Sequence, residues 1–96
     1  MSVTFKKKCK LLRDLYLLQE DELWAQHNPD IMQFVRAYNL GIPLAFCIHE
    51  NIVEASAEAE NLIDETFDAF IELVGVSKKQ VTQLETLSDL PGFRHP

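Results

Sequence analysis

Phe5, Cys9, Leu12 and Tyr16 recur at spacings of three and four, and Leu11, Leu15 and Leu18 widen the same stripe. Apolar residues that return at this period share one face of an α-helix. The pattern predicts a helical segment from about Val3 to Gln26, with Ser2 or Thr4 as its capping residue. Acidic Glu20, Asp21 and Glu22 interrupt the stripe before Leu23 and Trp24, so a single helix and a helix broken near Glu20 both fit.

Further along, Asn28-Pro29-Asp30 reads as an N-cap, a first helical residue and an acid in the first turn. Proline suits that place because its missing N–H would have no partner there, and the acid suits the helix dipole. Ile31, Phe34, Val35 and Tyr38 supply an apolar face, and Gly41 is expected to end the helix in the left-handed conformation. A third helix is expected to start at Pro43 and run through the apolar stretch Leu44 to Ile48. Asn51 to Ala55 is either its continuation or a connection. Ser56 caps a fourth helix over Ala57 to Val74, whose apolar stripe comprises Ala59, Leu62, Ile63, Thr66, Phe67, Phe70, Leu73 and Val74. Gly75 stops it. Ser77 and Gln80 have the spacing of a capping box, opening a last helix through Val81, Leu84 and Leu87 that ends at Pro91-Gly92, with 93–96 as a tail. The expected fold is all-α: one compact bundle of four to five helices spanning residues 1–96.

Composition adds bounds to this pattern. A chain of 96 residues fits one domain and buries roughly 60–65% of its unfolded surface, enough for one core without metal or disulfide. Three glycines and four prolines are too few for a loop-rich or many-stranded fold. Cys9 and Cys47 lie in apolar or helical surroundings and read as reduced, partly buried thiols, with a disulfide between them as the other reading. Arg13 and Asp14 interrupt the apolar stretch after Lys6 to Lys8, so no secretory signal is expected. No apolar run approaches a membrane span. The expected location is the cytoplasm.

Charge is distributed unevenly. The net charge is −6, which disfavours nucleic acid and anionic membranes as partners. Yet Lys6, Lys7, Lys8, Lys10 and Arg13 make a basic start, and Ala37 to Ser77 holds no lysine or arginine at all. Glu58, Asn61, Glu65, Asp68 and Glu72 repeat on the face of the fourth helix opposite its apolar stripe. Such a face serves solubility at the least. It is also a candidate interaction face for a basic patch on a partner, or for the basic start of a second copy, since complementary charge sets approach rate and specificity. Leu11, Leu12, Leu15, Leu17 and Leu18, with Tyr16, cover more of the first helix than one buried stripe needs, which suggests a homodimer.

Motifs for chemistry are absent. His27, His49 and His95 show neither the HExxH nor the ExxH spacing. Cys47 and His49, two apart on a helix, point about 200° from one another and can neither chelate one ion nor act as nucleophile and base. No metal, no cofactor and no catalytic residue is expected. Ala37, Leu40, Gly41 and Ile42 resemble the turn of a helix-turn-helix in outline over about twenty residues. The resemblance implies a DNA-binding regulator, with Lys6 to Arg13 meeting phosphates. Against it, Pro43, Leu44 and Ala45 would face the base edges, and none is a base-reading side chain. The residues favour a non-catalytic protein–protein interaction or regulatory module that associates with itself. A helix-turn-helix regulator comes second, and a small enzyme with a site between helices third.

Overall fold

A computed structural model describes residues 3–84, 86 and 87. Among them the chain forms six helices and no strand: α1 (Phe5–Leu18), α2 (Glu22–His27), α3 (Pro29–Ala37), α4 (Gly41–His49), α5 (Ala57–Val74) and α6 (Lys78–Gln83). The all-α class agrees with the apolar periodicity. The count exceeds four or five because the first segment breaks. The Glu20 N–H bonds the Leu17 carbonyl at 3.2 Å and the Asp21 N–H bonds that of Leu18 at 3.0 Å, which tightens the end of α1. Asp21 then accepts from the Leu23 and Trp24 N–H groups and starts α2.

The caps reflect the local chemistry. Thr4 accepts from the Lys7 N–H at 3.2 Å, and Ser56 from that of Ala59 at 3.1 Å. Ser77 and Gln80 complete a reciprocal capping box. Asn28 precedes α3 as expected, but its side chain makes no cap bond; its amide donates instead to the Trp24 carbonyl at 3.1 Å. The last helix, α6, closes at Gln83, short of the expected Leu84 and Leu87, although both leucines are buried. Pro91-Gly92 and 93–96 lie outside the described residues.

Two sequence expectations about turns are corrected. Gly41 is not a left-handed cap, because α3 has already ended at Tyr38, and Gly41 rather than Pro43 is the first residue of α4. Its lack of a side chain serves a close approach. A Cβ there would collide with the Thr66 Oγ1 and lie 3.0 Å from the Thr66 Cβ on α5. Thr66 is fully buried and donates to the Leu62 carbonyl at 2.8 Å, so its hydroxyl is satisfied and its rotamer held. The left-handed residue after α4 is Asn51, with φ 59°. The Ile52 N–H bonds the Cys47 carbonyl at 2.8 Å and the Asn51 N–H bonds that of Ile48 at 3.1 Å, which together make a Schellman end. Asn51 to Ala55 is therefore a connection.

The core lies among α1, α4 and α5. Helix α1 packs most extensively on α4, and α5 packs against both. Leu11, Leu12 and Leu15 on α1 are at most 1% exposed, each contributing about 1.5–3 kcal/mol by burial. Ile42 and Ala45 meet them from α4, and Ile63, Phe67 and Phe70 from α5. Phe34 brings α3 onto α5, its ring 5.7 Å from that of Phe70. Val81, Leu84 and Leu87 complete the cluster. The wide apolar arc of α1 is thus consumed inside the fold; Leu17 alone among its leucines is exposed, at 41%. The stripe of α5 is narrower than its sequence implied, with Leu73 45% exposed.

Substituting Gly41→Ala gains at most about 0.8 kcal/mol of helix propensity and imposes overpacking that costs about 1–3 kcal/mol. The expected outcome is a lower denaturation midpoint. Thr66→Ala in the same chain removes the colliding oxygen and should recover part of the loss, read as a favourable coupling in a double-mutant cycle.

Candidate interaction face and polar clusters

The capping of α5 by Ser56 and its closure at Gly75 fix which residues turn outward. Glu58, Asn61, Glu65, Asp68 and Glu72 are all exposed along one side of the helix. Spacings of three and four from Glu58 to Glu72 make this a straight strip about 21 Å long. The opposite side carries the buried Ala59, Ile63, Thr66, Phe67 and Phe70. The five positions read from the sequence are therefore brought together.

The five basic positions of α1 differ in their partners within the fold. Lys7 donates its ammonium to the Thr82 carbonyl at 2.8 Å, tying α1 to α6. Lys8 pairs with Asp64 at 3.0 Å and sits 5.6 Å over the Phe67 ring. Lys10 pairs with Asp14 one turn on, at 3.2 Å. Lys6 is exposed. Much of the positive charge thus holds α1 to its own neighbours, with Asp64 of α5 among the acceptors.

Arg13 organises a polar cluster at the end of α4. Its Nε lies 3.4 Å from Asp14 and 3.8 Å from Glu50, and its Nη2 lies 3.2 Å from the His49 Nε2. The Nε itself is buried without a hydrogen bond, so the two carboxylates balance its charge through space. A guanidinium only donates, so the His49 Nε2 must accept, which places the imidazole proton on Nδ1. His49 is the last residue of α4. The sequence does not foretell this cluster, because its members come from separate helices.

Among the described residues no group of three His, Cys, Asp or Glu side chains comes together as a metal site. His27 is exposed and donates from Nδ1 to the Leu23 carbonyl at 2.8 Å; His95 lies outside the described residues. Both cysteines are free thiols. Burial, then the nearby Asp64 and Glu60 carboxylates, push the Cys9 thiol from 9.0 up to about 11. It is protonated at neutral pH and a poor nucleophile.

The helix-turn-helix outline falls on α3 and α4. Helices α3 and α4 bend by 86° at their junction. Of the three residues that would face DNA, Ala45 is fully buried, and Pro43 and Leu44 are half-buried. Among the described residues no single helix is long and apolar enough to cross a membrane. The α3–α4 pair reaches that length only together and around the bend, and Ile31, Phe34, Val35, Ile42 and Ala45 from it belong to the core.

A thiol reagent at pH 8 should titrate Cys47, which is half-buried, well before Cys9, which is 2% exposed; Cys9 should react only on unfolding. The folded protein holds the Cys9 proton up to about pH 11, whereas the unfolded chain releases it near 9.0. The stability from this group is complete below pH 9 and is lost as pH rises to 11. Melting temperatures should therefore fall more over that interval in the natural protein than in Cys9→Ala. No known protein family, curated protein or solved structure is matched by this chain.

Proposed function

We propose that this protein is a non-catalytic interaction module that docks a partner protein through the acidic face of α5. The supporting observation is the exposed strip of Glu58, Asn61, Glu65, Asp68 and Glu72, on a helix whose other side is fixed in the core. Rigid mounting matters because a preorganised face loses little entropy on binding. The matching partner presents lysines or arginines at intervals of three and four along a helix. Complementary charge of this kind speeds encounter and selects partners, and makes binding fall as salt rises. The free thiols Cys9 and Cys47 accord with a reducing setting such as the cytoplasm.

A second copy is the other occupant this face could take. Exposed Lys6, Arg36 and Lys79 supply cations for it. The wide leucine arc of α1 no longer supports self-association, since α4 and α5 cover it. A DNA-binding role would need α4 to leave the core.

The natural protein and a Glu58→Gln, Glu65→Gln, Glu72→Gln variant should be used as baits in native extract at low and moderate salt. All three positions are exposed, so stability should change by less than about 0.5 kcal/mol per site. The expected result is a stoichiometric basic partner held by the natural bait at low salt and lost by the variant. Equal retention by both baits would sink the proposal, and nuclease-sensitive recovery of DNA would favour the helix-turn-helix reading. For self-association, light scattering across a salt series should show mass falling as salt rises; a salt-independent monomer removes the second copy as occupant.

A further inference from the structure

Where α1 begins and α4 ends, two adjoining cavities of 290 and 380 Å³ open, with Lys6 and His49 lining both. Phe5 and Ile48 wall the first, and Lys7, Lys10 and Leu84 the second. Both are near the lower size limit of small-molecule sites, roughly 300 Å³. Among the described lining residues there is no carboxylate.

The charges here are unequal in what they have left to offer. Lys10 is balanced by Asp14 at 3.2 Å. Lys7 gives one N–H to the Thr82 carbonyl, a neutral acceptor, so its charge is uncompensated by that bond and two further N–H groups remain. Lys6 is exposed. His49 accepts from Arg13 at Nε2 and therefore carries its proton at Nδ1 as one more donor. Around these donors the walls are aromatic and aliphatic, from Phe5, Ile48, Leu84 and the lysine stems. A net charge of −6 on the whole protein disfavours a multiply charged anion more than a singly charged one.

We propose that the adjoining cavities bind a small monovalent carboxylate with a hydrocarbon body, its carboxylate at Lys6 and Lys7 and its chain against Phe5, Ile48 and Leu84. The site is independent of the α5 face, and each can fail without the other. Charge-assisted bonds from two ammonium groups supply orientation, and the apolar walls supply the hydrophobic term.

The test is a titration of the isotope-labelled full chain, monitored through backbone amide resonances. The probes are octanoate, kept below its micelle-forming concentration, neutral 1-octanol and inorganic phosphate. Octanoate should move the amides of Lys6, Ile48 and His49 saturably, and the alcohol and phosphate should each bind at least about tenfold more weakly. Lys6→Glu, at an exposed position, should keep the melting temperature and weaken octanoate about tenfold. The proposal is overturned if octanoate gives no saturable shift, or if octanol or phosphate binds as tightly. It is equally overturned if Lys6→Glu leaves octanoate affinity unchanged.

Discussion

Leu11, Leu12 and Leu15 point from α1 into space that no single neighbouring helix could close. Their exclusion from water is the constraint around which the other elements are arranged. Helix α4 lies along α1 and covers most of this arc, and α5 closes the remainder with Ile63, Phe67 and Phe70. For α5 to approach α4 closely, one of the two backbones must carry no side chain at the crossing. Gly41 supplies that, against the fully buried Thr66. The hydroxyl of Thr66 turns back to its own helix, at the Leu62 carbonyl, so the crossing buries no unpaired polar group.

Electrostatics then finishes what burial starts. Lys8 reaches Asp64 from a position only 17% exposed, where an ion pair is screened less than on the open surface. Arg13 does the same between α1 and the end of α4, with Asp14, Glu50 and His49 around it. The basic start of the chain is thus partly structural, and the acidic surplus of the middle faces outward along α5. One consequence is an uneven surface: a strip of acids on one helix, and at the start of α1 a small basic hollow.

How far the sequence could be read depended on whether each signal was local. Helix α5 was legible to its end residues, because Ser56, the outward acids and Gly75 all lie within one continuous stretch. The capping box at Ser77 and Gln80 was legible for the same reason. Gly41 was not, since a glycine after an apolar helix serves either a left-handed turn or a close approach, and only the distant Thr66 decides between them. Asn51 took the left-handed role instead, a residue with a modest preference for it. The arc of α1 misled because sequence reports how much of a helix is apolar, not how many neighbours will cover it. The acidic face could be read from α5 alone. The Arg13 cluster and the cavities at Lys6 and His49 could not, because they join helices from different parts of the chain.

The bond from Lys7 to Thr82 spans 75 positions of the chain. Together with the α1–α4 and α1–α5 packing, it means that α1 draws its burial from segments made long after it. A ribosome delivers α1 before the segments that cover it, so its leucines stay wet until α4 and α5 have emerged. Closing such large loops costs entropy before any contact repays it. Until then the nascent chain carries an apolar segment in search of cover. The lysines beside those leucines, Lys6, Lys7, Lys8 and Lys10, put charge on the same segment, and charge favours dispersal in water.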